Sequence, residues 1–457
     1  MAGIGFELRK LLAKRSLLGT LQAYAYAGLI GSGPMVLSII GMVLIGVLSF
    51  GVVIPHALIT QFQITVTYVY FCSLVFTSPL QLSFTRFVAD RLYARDEAAI
   101  LPNFNGLLLL VLNVSAALAL PLAIWAFPEQ TVMYRLLFVL AMTIMSGIWI
   151  AAVFLSGVKQ YKAVLLVFLV GYCATFALAL IFMHFFSMEG LLLGFVFGHF
   201  LLLLGMIWII YSNYRSDRFV AFDIWRRGAM YPSLMFTGLF FNLGLWIDKL
   251  IFWFDPGTGQ SVVGPLHASV IYDFPIFLAY LTIIPGMAVF LVRIETDFVE
   301  YYAKFFEAAS GGATLDHIMR MRNQMVYYVR QGIVDIAKVQ AIAALVTFTM
   351  GEALLTWMGI STLYLPLLFV DVVGAGIQVV LLGVLNVLFY LDQRRIVLGL
   401  TGLMLASNAV LSALTLHLGA AWYGYGFALA MLITVLVAVW ILDRRLEALE
   451  YETFMLQ

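Results

Sequence analysis

Of the 25 Lys and Arg residues in this 457-residue chain, all but Arg135, Lys249 and Lys338 fall beside long apolar stretches, always at the same alternate ends. Twelve stretches carry the pattern, at roughly 20–50, 60–90, 103–126, 132–156, 160–184, 189–212, 229–254, 264–294, 332–358, 364–391, 394–417 and 422–442. Each is long enough to cross ~30 Å of hydrocarbon at ~1.5 Å per helical residue. Arg9, Lys10, Lys14 and Arg15 precede the first stretch, Arg86, Arg91 and Arg95 follow the second, and Lys159 and Lys162 follow the fourth. Arg215, Arg218, Arg226 and Arg227 follow the sixth; Arg293, Lys304, Arg320, Arg322 and Arg330 the eighth; Arg394 and Arg395 the tenth; Arg444 and Arg445 the last. Because positive charge marks cytoplasmic loops, both termini are expected in the cytoplasm. One miscounted helix would invert every later loop, so the alternation supports the count.

The expected class is an all-α polytopic membrane protein. An apolar fraction of 63% with 11% charged residues lies outside the soluble range. Cys72 and Cys173 both fall inside spans, so no disulfide framework is expected. Residues 1–19 carry four cations and no signal-peptide cleavage pattern. Their Ile4, Leu8, Leu11 and Leu12 form a stripe opposite Arg9, Lys10 and Lys14, with Arg15 on the apolar side; the segment reads as an amphipathic anchor for anionic lipid, the alternative being a face that docks a partner.

The chain also repeats itself. Gln160, His184 and Trp208 match Gln393, His417 and Trp440 at offsets of about 232, and Arg86 and Asp90 match Arg293 and Asp297 at an offset of 207. Two parallel six-helix bundles are therefore expected, at 20–212 and 229–442, with a basic linker at 213–228 and a tail at 443–457. Parallel repeats of this kind place a solute path between the halves. The jump in offset assigns the extra residues to a helical insert at 295–331. Within it Phe298, Tyr301, Tyr302, Phe305 and Phe306 lie on one helical face. Ser310-Gly311-Gly312 breaks that helix, and Thr314 is placed to cap a second. The face either rests on the cytoplasmic leaflet or docks a cytoplasmic partner.

No P-loop run and no paired Cys or His spacing is present, so neither nucleotide hydrolysis nor a bound metal or other cofactor is expected, and an enzyme is not. His199, lone on an apolar span, reads as a satisfied core residue. The functional pointers are charges inside the membrane, which are costly unless they face a partner or a wet cavity. Asp248, Lys249, Asp273, Glu352 and Asp371 all fall roughly 8–12 Å below the outer surface at ~1.5 Å per residue. They form either a structural Lys249–carboxylate pair with neighbours or an acidic lining on the outward side of a path. Such a lining suits a cation, a proton or sodium coupling site, or a neutral or amino sugar, and suits a pyrophosphate-linked flippase substrate poorly. Pro34 with its Gly31-Ser32-Gly33 run, Pro79, Pro265, Pro275 and Pro285 mark bends in candidate path-lining helices. Tyr68, Phe71, Tyr272, Phe277 and Tyr280 offer ring faces to sugars, although aromatics in such chains mostly face lipid.

The opening Met-Ala-Gly-Ile-Gly-Phe-Glu-Leu-Arg-Lys-Leu-Leu, with Tyr24-Ala25-Tyr26-Ala27-Gly28 and Gly31-Ser32-Gly33-Pro34, resembles the inner-membrane transporters of bacterial Pel exopolysaccharide systems. More broadly the chain is similar to the multidrug/oligosaccharidyl-lipid/polysaccharide exporter superfamily. The resemblance implies two six-helix bundles around a cleft, alternating access, and export of a nascent amino-sugar-rich polymer for biofilm matrix. It also implies three partners: a cytoplasmic glycosyltransferase, a cyclic-di-GMP-sensing membrane protein and a tetratricopeptide-repeat membrane protein. Nucleic acid is not an expected partner. A proton- or sodium-coupled drug antiporter, with Asp371 or Asp273 as coupling group, and a lipid-linked oligosaccharide flippase remain the alternatives.

Overall fold

The computed structural model describes residues 57–157, 161–226, 228 and 230–455, with scattered positions between 19 and 55. The N-terminal amphipathic segment and Pro34 lie outside the described residues. The chain divides into two compact units. The N-terminal unit comprises 34–246 and 252–269, and the C-terminal unit 1–33, 247–251 and 270–457.

In the N-terminal unit the main helices are α1 (Ala57–Tyr93), α2 (Ile100–Ala126), α3 (Val132–Gly157) and α4 (Tyr161–Asn213). The fifth and sixth expected spans form α4 together, broken at Ser187, whose φ of 49° and ψ of −121° are non-helical. The two halves meet along Gly190, Gly194 and Gly198, where an added Cβ would overlap the backbone of Phe182, Ala179 and Thr175. In lipid, where apolar burial gives little drive, such small-residue stripes let helices pack closely.

Pro79 sits inside α1 and cannot donate to the carbonyl of Val75. The hydroxyl of Ser78 donates to that carbonyl instead, at 2.7 Å, and closes the gap left by the ring.

The expected linker at 213–228 is held to the N-terminal unit rather than free between bundles. Asn103 Oδ1 accepts from the backbone N–H of Asp223 at 2.7 Å, Asn105 Nδ2 donates to the Phe219 carbonyl at 2.8 Å, and the Ala221 N–H donates to the Pro102 carbonyl at 2.9 Å. Further along, α5 (Pro232–Phe254) belongs to the N-terminal unit except for Ile247–Ile251, which group with the C-terminal unit, and the chain passes to that unit for good at Val270.

The eighth expected span begins later than its apolar run. Gln260–Val263 (β1) and Leu266–Ala268 (β2) pair antiparallel around Gly264-Pro265, so Pro265 is a hairpin residue and not a helix kink. A helix before this turn would need Gly264 at negative φ; its φ is +52°. Tyr68 secures the hairpin, donating to the His267 carbonyl at 2.9 Å and accepting from its N–H at 3.1 Å.

The C-terminal unit then opens with α6 (Val270–Leu281) and α7 (Ile284–Val292), followed by a π-helical turn at Arg293–Phe298. Pro285 stands four residues after Leu281, where its ring would clash with the carbonyl of a continuing helix, and α6 ends there. Next come α8 (Val299–Ser310), α9 (Leu315–Trp357), α10 (Leu365–Tyr390), α11 (Arg394–Leu418), α12 (Tyr425–Glu447) and α13 (Leu449–Met455).

The insert differs from both expectations. Its second helix is no separate element: α9 runs unbroken for 43 residues, ~65 Å at ~1.5 Å per residue, and carries the ninth span as its C-terminal part. Thr314 precedes α9, but its side chain makes no capping bond. The aromatic face of α8 is turned onto the unit itself. Phe298 and Phe305 are fully buried, Tyr301 stacks on Tyr328 of α9 at 4.4 Å, and Tyr302 meets Tyr390 of α10 at 5.6 Å. These rings fold the insert against its own helices, so Phe298 and Phe305 are not displayed for a partner.

Among the described residues ten helices are long and apolar enough to cross a membrane, counting the kinked α4 once and the run Val270–Ser310 as one. The first of the twelve expected spans falls mostly outside the described residues. The residues matched at offset 207 make the same i,i+4 ion pair in each unit, Arg86–Asp90 and Arg293–Asp297, both at 3.0 Å.

Candidate functional site

In the C-terminal unit five helices converge on Asp248 and Lys249, which occupy α5. Neither side chain is more than 2% exposed, and Lys249 Nζ lies 3.1 Å from Asp248 Oδ2. The remaining acceptor capacity of Asp248 is filled by two neutral donors. Tyr272 on α6 donates to Oδ2 at 2.8 Å, and Asn408 on α11 donates to Oδ1 at 3.3 Å. Asn408 is in turn held by Ser412, one turn later, which donates to its Oδ1 at 2.9 Å. The ammonium also stands 5.2 Å from the ring centre of Tyr280 and 5.6 Å from that of Phe427 on α12. Carboxylate, hydroxyl, amide and two ring faces thus replace the water that both charges gave up.

Asp371 on α10 completes the pocket and differs from Asp248. It is fully buried, Asp248 and Lys249 both act on it electrostatically, and neither of its oxygens has a hydrogen-bond partner among the described residues. Gly424 closes the other side. Its φ of +82° places it in the left-handed region, and a Cβ there would approach Asp371 Oδ1 to 2.8 Å. Only glycine meets both conditions without strain. Two carboxylates against one ammonium leave the pocket one positive charge short of neutrality when both acids are ionised. In a fully desolvated site that shortfall is costly, so one of the two acids is favoured to carry a proton.

Three of the five charges expected at one depth are thereby brought together: Asp248, Lys249 and Asp371. Asp273 is buried on α6 beside Tyr272 in the chain, at 7% exposure. Glu352 is not in the pocket, being exposed on α9. Depth along a helix sets only one coordinate, and Glu352 lies to the side of the packed face of α9. Of the proline positions, Pro275 is buried inside α6, Pro79 is half-buried and Pro285 is exposed. Tyr272 and Tyr280, expected as sugar-facing rings, instead hold Asp248 and Lys249. Asn408, Ser412, Gly424 and Phe427 were not marked by the sequence, though a buried Asn and Ser at i,i+4 in an apolar span is a readable signal.

A second polar cluster lies inside the N-terminal unit. His199 is 2% exposed; its Nε2 lies 3.1 Å from Tyr70 Oη, and its Nδ1 lies 2.9 Å from the Phe195 carbonyl. Tyr70 reaches Tyr172 at 3.3 Å, and Trp149 donates to Ser73 at 2.9 Å. His199 is a satisfied core residue, as its apolar setting implied. Among the described residues no group of three or more His, Cys, Asp or Glu side chains is arranged to hold a metal ion.

Residues 1–454 match the model of one family, PelG, described as "Putative exopolysaccharide Exporter (EPS-E)". No curated relative matches the sequence. Solved structures share the fold at low identity. The MATE transporter VcmN of Vibrio cholerae, solved as a point mutant, is 13% identical and aligns over 97% of this chain and 98% of its own with a TM-score of 0.65. A MATE protein in a bent conformation, also 13% identical, covers 99% of both chains at a TM-score of 0.63. A MOP superfamily transporter of Pyrococcus furiosus, described as having a binding pocket of reverse polarity, is 12% identical over 93% of this chain and 96% of its own at a TM-score of 0.61. The architecture is that of MATE and MOP transporters.

Proposed function

The chain belongs to the PelG exopolysaccharide-exporter family, and we propose on that premise that it moves a nascent, amino-sugar-rich polysaccharide from the cytoplasm to the periplasm across a bacterial inner membrane, for biofilm matrix. It is a membrane exporter of the MOP superfamily. The observation that carries the finer reading is the family match across residues 1–454, since the fold alone is shared with drug transporters. The sign of the buried charge supports it. Lys249 is the one fully buried Lys or Arg among the described residues, and its charge is committed to Asp248. A polyanionic carrier lipid would call for more buried cations than that. A neutral or amino-sugar polymer makes no such demand.

On this reading the two units are the rocking halves of an alternating-access exporter, and the Asp248–Lys249–Asp371 pocket is its coupling element. Both termini and the α8–α9 insert face the cytoplasm. There the insert stands beside the polymerising glycosyltransferase, with the cyclic-di-GMP-sensing and tetratricopeptide-repeat membrane proteins completing the assembly. One observation favours a second reading, an ion-coupled drug antiporter: Asp371 is a buried acid without a donor among the described residues, able to bind and release a coupling ion. The two separate in vesicles. Purified chain reconstituted with the polymerising partner should render labelled polymer resistant to an external glycoside hydrolase. Ion-driven uptake of a small cationic drug with no polymer protection would favour the antiporter.

A further inference from the structure

We propose that Lys249 is a tethered cation, its ammonium filling the position that a mobile monovalent metal ion would otherwise take in the Asp248–Asp371 pocket, so that this pocket excludes sodium. The surroundings of Nζ are those of a cation site. Both oxygens of Asp248 lie against it at 3.1 and 3.4 Å, two ring faces flank it, and Asp371 acts on it electrostatically. Oxygens of the kind a small metal ion needs are at hand in the carboxylate of Asp248 and the hydroxyl of Tyr272, with the charge of Asp371 acting on the same point. A covalently tethered ammonium cannot leave the protein, whereas a bound metal ion exchanges. It also has one attachment point, on α5, beside its own counter-ion.

Every element packed around the ammonium contributes to this assignment. From α5 comes Asp248, from α6 Tyr272 and Tyr280, from α10 Asp371, from α11 the neutral Asn408, and from α12 Phe427. Lys249 supplies the one positive charge among these groups. Removing the side chain beyond its stem therefore leaves a carboxylate pocket of ammonium size, open to a monovalent ion. The charge that was built in becomes a charge that must be bound.

The inference rests on the coupling reading above only for its consequence, that sodium does not drive export through this pocket. Its test uses no substrate, so it fails or survives independently of the export assay. Full-length protein in detergent is unfolded thermally in sodium chloride and in choline chloride at equal ionic strength. Wild type should show the same midpoint in both salts. Lys249→Met should show a midpoint about 2–4 °C higher in sodium, from mass-action stabilisation by a bound ion. The shift should vanish in Lys249→Met combined with Asp248→Asn. Lys249→Gln, which keeps a donor for Asp248 without the charge, provides a second uncharged variant and should respond as Lys249→Met does. A sodium-specific shift in wild type would overturn the proposal, because a mobile ion would then bind beside the lysine. Absence of the shift in both uncharged variants would overturn it too, as would failure of both to fold even in sodium.

Discussion

Asp248 and Lys249 are adjacent in sequence and paired in space, 3.1 Å apart and cut off from solvent. Consecutive residues on a helix point about 100° apart, so such a pair forms only when the surrounding packing draws the long lysine stem back toward its neighbour. Tyr272, Asn408, Tyr280 and Phe427 are what surround it.

Breaking this pair should cost more than deleting it. Lys249→Met strands a buried carboxylate, and in choline-based buffer it is expected to lose about 3–5 kcal/mol, while Lys249→Met with Asp248→Leu should recover most of that. Thermal midpoints of the purified variants measure both. Pairing Lys249→Met with Glu352→Leu should recover nothing, because Glu352 lies on the exposed face of α9.

At Pro79 the expected effect is a coupled one. Ser78→Ala leaves the Val75 carbonyl without a donor and should cost about 1 kcal/mol. In a Pro79→Ala background the helix N–H returns, and the same Ser78→Ala change should cost markedly less. A double-mutant cycle on thermal stability reads the difference.

In the insert, Phe305→Asp should destabilise by about 3 kcal/mol or more, because it places a charge where Phe305 is fully buried. Tyr327→Asp, on the same hairpin but at 61% exposure, should leave stability within about 0.5 kcal/mol. Limited proteolysis across 298–331 distinguishes them. Equal resistance of the two variants would mean that the aromatic face of α8 is not packed as described.

Much of the architecture was readable in one dimension because hydropathy and positive charge are themselves one-dimensional signals. The boundaries of α10, α11 and α12 follow from where Arg394, Arg395, Arg444 and Arg445 end the apolar runs. The pocket was half legible for the same reason. Asp248 and Lys249 announce each other by adjacency and Asp371 by its depth, but rotation about the helix axis decides whether Asp371 or Glu352 joins them. On α9 the buried positions Gln340, Ala344, Gly351 and Leu355 lie to one side of Glu352. In a span where apolar residues face both lipid and core, that face leaves no hydropathic trace. The Gly264-Pro265 hairpin was hidden by its own apolar flanks. The continuity of α9 was hidden by a charge pattern that changes at the membrane surface while the helix does not.

Topology is tested by access. Single cysteines within 212–217 and 298–330, on a background lacking Cys72 and Cys173, should resist an impermeant thiol reagent applied from the periplasmic side and react once the membrane is permeabilised. Labelling of either segment in intact cells would reverse the orientation inferred from the Lys/Arg alternation.

The central claim is export of a polymer by a transporter whose coupling pocket contains Asp371. It is tested most directly by reconstituting wild type and Asp371→Asn side by side with the polymerising partner and measuring labelled polymer protected from an external hydrolase. The account predicts protection with wild type, and at least tenfold less with an Asp371→Asn protein of undiminished thermal stability. Equal protection with both proteins, or none with wild type while polymer is still synthesised, would contradict it.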